Sequence, residues 1–231
     1  MRSQHQSLER GEKGITGLET AIILIAFVVV AAVFAFTVLS TGIFATERAK
    51  ETVYAGLEAA RSSIEPRGSM IAYKGTVGAT STVYKVSIVV ANATQGDPVD
   101  LTPPYTIDGS GTEPDQATAN TYKTVISYND PNQYLPDVPW TVEWLGNASA
   151  DNLLENGEKA QITVWLLKAT GTAAGVYTTA EDTRGLYGIT SAANILTTNS
   201  KFTLEVKPPT GASVILQRNV LARLDAVMDL K

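Results

Sequence analysis

Few residues in this chain of 231 carry side chains equipped for chemistry, and their types narrow the choice. There is no cysteine, which excludes a disulfide framework and any thiolate metal site. The only histidine is His5, so every imidazole-dependent device, from a Ser-His-Asp nucleophile to a histidine-bound zinc ion, would have to rest on one residue near the N-terminus. Carboxylates are plentiful, yet no pair is set beside an apolar pocket, and neither a Gly-rich phosphate loop nor a dinucleotide fingerprint occurs. Asp130, Asp137, Glu143, Asp151 and Glu155 supply hard oxygen donors of the kind calcium takes, but their spacing does not fit an EF-hand loop. A solvated acidic face accounts for them better, so no metal ligand is assigned and no cofactor is called for. Two sequons, Asn92-Ala93-Thr94 and Asn147-Ala148-Ser149, make Asn92 and Asn147 candidates for N-glycosylation.

The remaining constellation is the junction Glu12-Lys13-Gly14-Ile15-Thr16-Gly17-Leu18-Glu19-Thr20-Ala21. A base and a glycine precede an acid, and the acid stands two residues before a long apolar run. Each has an ordinary reading: Lys13 as a flanking positive charge, Gly14 and Gly17 as loop residues, Glu19 as a first-turn acid favoured by the helix dipole.

The elements around the junction give it meaning. Every residue from Ala21 to Phe36 is apolar, and the run continues through Thr37, Val38 and Leu39. About nineteen residues make roughly 28 Å of helix, close to the thickness of a bilayer core. A secretory signal would have a shorter apolar region and a small-residue cleavage site after it, and Ser40-Thr41-Gly42 could pose as one. Helical sequence continues beyond, however. Val53, Leu57, Ala60 and Ile64 recur as an amphipathic stripe, with Glu47, Arg48, Lys50, Glu51, Glu58 and Arg61 on the polar faces. The pattern stops at Glu65-Pro66-Arg67-Gly68, where proline disfavours helix for its predecessor. The predicted helix therefore runs from Ile15 to Ile64, roughly 75 Å. Its first two-thirds is hydrophobic all round, which in water demands burial in lipid or among copies of itself.

The junction resembles the processing site of type IV pilin-like precursors and, among them, of archaellins, the archaeal flagellins. Lys13-Gly14 matches the basic residue and glycine before the cut, Glu19 the fifth residue of the mature chain, and Gly17 the glycine archaellins favour third. The resemblance implies cleavage between Gly14 and Ile15 by an aspartyl-type membrane peptidase, upstream of the apolar run, so that the helix survives and His5 is lost. It also implies that Glu19 pairs with a terminal amine during assembly. Either charge alone in an apolar core would cost several kcal/mol, on the order of an unpaired buried ion.

From Ser69 onward the period changes from 3.6 to 2. Val83–Val90 is the first clear strand, followed by 122–128, 140–145, 159–167, 201–207 and 213–221. Phe202, Leu204 and Val206 alternate with Lys201, Thr203, Glu205 and Lys207, the pattern of a half-buried strand. Turn signals such as Asp108-Gly109 and Asn156-Gly157 separate the strands, which predicts a sandwich of seven or more. The segment 152–160 and the ending from Pro208 also resemble archaellin outer-domain motifs. The formal net charge is −5; from Glu65 onward there are 12 Lys+Arg against 17 Asp+Glu, so the acidic excess lies there and no basic patch serves nucleic acid.

The reading is thus α+β: a leader at 1–14, a hydrophobic polymerisation helix at 15–64, a hinge at 65–68 and an all-β immunoglobulin-like sandwich at 69–231. The resemblance implies a homopolymeric extracellular filament, with or without paralogous archaellins. Its partners would be the preflagellin peptidase, the membrane motor and assembly platform, and, transiently, the membrane. An adhesion pilin would share the processing and the core, and a solitary surface protein with an uncut signal anchor would start at Met1. An enzyme finds little support.

Overall fold

The structure is a computed structural model that describes residues 4–61, 64–92, 97–110, 113–117, 121–146, 149, 151–169, 177–179, 188–189 and 191–231, with side chains given outside 4–16, 58–61 and 177–179. By its contacts the chain divides into two units, Met1–Ala55 and Gly56–Lys231.

One α-helix, Gln4–Arg61, runs for 58 residues. Many of its apolar residues are β-branched, including Ile22, Ile23, Ile25 and Val28 to Val30, which lowers helix propensity in water by a few tenths of a kcal/mol each, roughly. In an apolar setting the alternative is a backbone with unpaired N–H and C=O groups, each costing several-fold more, so the helix wins. No proline interrupts it.

The helix was expected to reach Ile64 and to be followed by a hinge at 65–68. Instead it stops at Arg61, and Ile64–Pro66 forms strand β1. Pro66 disfavours helix at Glu65, and Ile64 gains more in the β unit's core, where it is 4% exposed, than on the helix stripe. The ladder continues past β1 through Arg67 N–H, which donates to Val89 C=O at 2.7 Å. Gly68 then turns the chain at φ +94°, a conformation other residues resist.

The other main strands are β2 (Met70–Val77), β3 (Thr80–Asn92), β4 (Val125–Asp130), β5 (Gln133–Leu135), β6 (Trp140–Leu145), β7 (Lys159–Trp165), β8 (Lys201–Lys207), β9 (Val214–Asn219) and β10 (Val227–Leu230). They form two antiparallel sheets. The larger has the order β10-β2-β3-β7-β6, with β1 also on β3; the smaller is β9-β8-β4-β5. Among the described residues three short pairs sit outside these sheets, including Tyr105–Thr106 with Asp115–Gln116. A long apolar helix followed by an all-β unit is therefore the observed architecture, as expected.

Both sheets feed one hydrophobic core. Val86, Ile88 and Val90 of β3 and Ile162 and Val164 of β7 enter from the larger sheet, and Ile126 and Tyr128 of β4 with Phe202, Leu204 and Val206 of β8 from the smaller. The alternation read in 201–207 is the one observed. On the other face of the larger sheet a bulge at Tyr84 places Lys85 among three rings, its Nζ 4.9 Å from the centre of Tyr73 and 4.7 Å from that of Trp165. Burial pulls the Lys85 pKa down, partly offset by Glu113 and Glu143.

The β4–β5 turn is tied by one carboxylate. Asp130 Oδ1 accepts from Asn132 N–H at 2.7 Å and Gln133 N–H at 3.0 Å, and Oδ2 accepts from the Tyr128 hydroxyl at 2.7 Å and Gln133 Nε2 at 2.9 Å. Gln133 Nε2 also donates to Asn194 C=O, fastening a distant turn. Burial, then the hydrogen bond to Asp130 and its charge, pushes the Tyr128 phenol far above its ordinary range. Removing the acceptor in Asp130→Ala strands the buried Tyr128 hydroxyl, so chemical denaturation should show a loss of about 1–3 kcal/mol. In a Tyr128→Phe background the same substitution should cost clearly less; an undiminished cost would show that the phenol bond contributes nothing.

Candidate functional site

The surface with most to bury is the helix itself. Every side chain described from Gly17 to Leu57 is exposed, and the large apolar ones lie on all sides, with Phe27 and Phe36 each at 72%. Taking one such side chain out of water is worth about 1.5–3 kcal/mol. A segment with more than a dozen of them is a surface awaiting a partner or lipid. The stretch Gly17–Leu57 is long and apolar enough to cross a membrane.

The junction residues fall at the start of this surface. Lys13, Gly14 and Ile15 lie within the helical backbone, their side chains outside the described set. Gly17 has open space where a Cβ would stand, so its glycine answers no steric need within one chain. Glu19 is exposed and has no ion-pair partner among the described residues. The geometry presents a carboxylate at the head of an apolar cylinder, where a cation brought by another molecule could reach it.

The sugar candidates separate. Asn92 ends β3 at 6% exposure, and its Nδ2, the atom a glycan would need, donates to the carbonyls of Asp97 at 3.2 Å and Leu154 at 3.5 Å. Its amide is engaged at the edge of the core. Asn147 lies outside the described residues, while Ser149, its sequon's third residue, is held by Glu158 Oε1 at 2.7 Å and Asp151 Oδ1 at 2.9 Å.

The five carboxylates grouped by sequence do not act as one set. Asp130 ties its own turn, Asp137 accepts from the Tyr122 hydroxyl at 2.7 Å, and Asp151 accepts from Leu153 N–H. A different trio converges: oxygens of Asp108, Glu113 and Asp115 lie within 4.8 Å of one another around the short pair 105–106 with 115–116. Glu113 is 8% exposed; its Oε1 accepts from Gly109 N–H at 2.6 Å, whereas Glu113 Oε2 and Asp115 Oδ2 are buried without a hydrogen bond. Burial raises the Glu113 pKa, and the Asp115 and Asp108 charges add to this. These residues have the oxygen-only donor set a hard divalent cation takes. Sequence reading missed them because the three acids only meet once the turn closes, and 97–120 offers no periodic pattern.

The sequence model for archaeal-type flagellin matches residues 14–218. Probable flagellin 1 of Archaeoglobus fulgidus is 34% identical over 221 residues, 96% of each chain, and probable flagellin 2 of the same organism is 31% identical over 228 residues, 95% of each. Among solved structures, the archaeal flagellum of Methanospirillum hungatei strain JF1 is similar with a TM-score of 0.50 at 25% identity, covering 93% of this chain and 98% of that one.

The crowded trio has a measurable signature. A carboxyl whose folded pKa is raised stabilises the fold below the ordinary carboxylate range, and that contribution is lost as pH rises through the raised value. With a chelator present, the melting temperature should therefore fall across that window more in the parent than in Glu113→Gln. Parallel pH profiles for the two chains would contradict it.

Proposed function

Because the chain belongs to the archaeal-type flagellin family, a family of structural filament proteins, we propose that it builds the archaellum used for swimming, its helices burying one another in the filament core and its β units forming the outer sheath. The observation that supports this reading most is the helix exposed and apolar on every side from Leu18 to Phe44. Polymerisation is the arrangement that removes that surface from water without lipid. The same processing and core would serve an adhesion pilin, but the matching family and the relatives named above are flagellins.

The leader is 1–14, cut after Gly14 by a membrane-embedded aspartyl peptidase while the precursor sits in the membrane through its apolar helix. The helix from Ile15 carries assembly, and the β unit carries the exterior surface. The new amine at Ile15 pairs with Glu19 of a neighbouring or the same subunit, so that neither charge enters the core alone. A membrane motor and assembly platform, encoded elsewhere, add subunits and turn the filament; paralogous subunits are compatible with the same packing. A sugar, if carried on a sequon, belongs on Asn147. No residue carries catalysis.

Sequencing the N-terminus of purified filament protein should give Ile15 as the first residue, and a start at Met1 would refute the processing scheme. Gly14→Trp should leave the longer membrane-bound precursor, seen as a mass increase of the uncut leader. Val29→Asp or Val33→Asp should abolish filaments, since an unpaired ion in an apolar layer costs several kcal/mol, roughly, per subunit. Intact filaments from either variant, checked by electron microscopy, would mean these positions face water.

A further inference from the structure

An asparagine or aspartate followed by glycine lets the next backbone nitrogen reach the side-chain carbonyl carbon and close a five-membered ring, with no side chain in the way. Asp108-Gly109 and Asn156-Gly157 are the only such pairs in the sequence, and the structure treats them in opposite ways. Gly109 N–H donates to Glu113 Oε1 at 2.6 Å, and Asp108 Oδ1 accepts from Ser110 N–H at 2.7 Å. The Ser110 bond holds the Asp108 carboxyl below the usual carboxylate range, so it is ionised and a poor electrophile. Asn156 and Gly157 are exposed, at the tip of the turn that joins the short strand Leu153–Leu154 to β7. Neither the Asn156 side chain nor Gly157 N–H makes a hydrogen bond among the described residues, and the space beside Gly157 is open. The turn is closed by Glu158 N–H donating to Glu155 C=O at 3.3 Å, longer than such bonds usually are, and by Glu155 N–H donating to Glu158 Oε2 at 2.9 Å.

We infer that Asn156 is a site of self-modification, where the chain converts its own asparagine to aspartate and isoaspartate without an enzyme. Gly157 N–H gives its proton to hydroxide, and the nitrogen attacks Asn156 Cγ. An N–Cγ bond forms, the Cγ–Nδ2 bond breaks, and Nδ2 takes a proton from water and leaves as ammonia. Water then opens the ring at one of its two carbonyls, giving aspartate, or isoaspartate with the backbone routed through the side chain. One water is consumed and one ammonia released, so no other reagent is required. The product puts a new carboxylate between Glu155 and Glu158. Glu158 is the acceptor that holds Ser149 N–H at 2.7 Å as well as Glu155 N–H, so repulsion between like charges loosens this loop in modified copies. The chemistry is the same whether or not the chain is in a filament.

Purified full-length protein is incubated at mildly alkaline pH and mapped over time by peptide chromatography and mass spectrometry. Free peptides of residues 152–160 and 104–110 serve as clocks for each sequence without its fold. An exposed turn opens at little cost, so Asn156 in the protein should convert no more than about tenfold slower than in its peptide. Asp108 must first break its hydrogen bonds, so it should isomerise at least about a hundredfold slower than in its own peptide. Asn156→Gln would have to close a six-membered ring and should stay unmodified throughout. An Asn156 still intact after its peptide has fully converted would overturn the inference. An Asp108 no better protected than Asn156, each measured against its own peptide, would overturn the role given to the hydrogen bonds.

Discussion

A cylinder that is apolar around its whole circumference cannot remain in water, and nearly everything else about this chain follows from that. A one-sided stripe could fold back onto a core of its own. The segment from Leu18 to Phe44 has large apolar residues on every side, so neighbours must surround it.

The β unit solves a separate problem, that of stability without disulfides. Two antiparallel sheets share one core, and single polar groups fix the turns: Asp130 binds the β4–β5 turn with four hydrogen bonds, and Glu158 receives Ser149 N–H and Glu155 N–H. These carboxylates serve as knots in loops. The trio at Asp108, Glu113 and Asp115 is the exception, since its members face one another.

Legibility in the sequence tracked the range of the forces involved. The helix and the strand 201–207 were visible because their side-chain periods are set locally, and the observed elements carry those periods. Strand β2 was not seen, for Met70–Val77 mixes Tyr73, Lys74 and Gly75 into its pattern and a bulge breaks the alternation. Strand β10 was not seen either: the last strand read from sequence was 213–221, and Val227–Leu230 lies beyond it. Ile64 fitted the helix stripe by spacing and went instead to the β core, a competition between two burials that only tertiary packing decides. Asn92 shows the same limit at a single residue: the three-letter sequon says nothing about depth, and strand pairing with Ile64 puts its amide inside.

The described side chains of the helix carry charge only at the two ends of its apolar stretch: Glu19 lies before it and the mixed-sign band Glu47, Arg48, Lys50 and Glu51 after it, about 42 Å apart from Glu19 to Glu47 at 1.5 Å per residue. A rod so marked reads differently from its two ends, one tip bearing a lone acid and the other a band in which both signs are present.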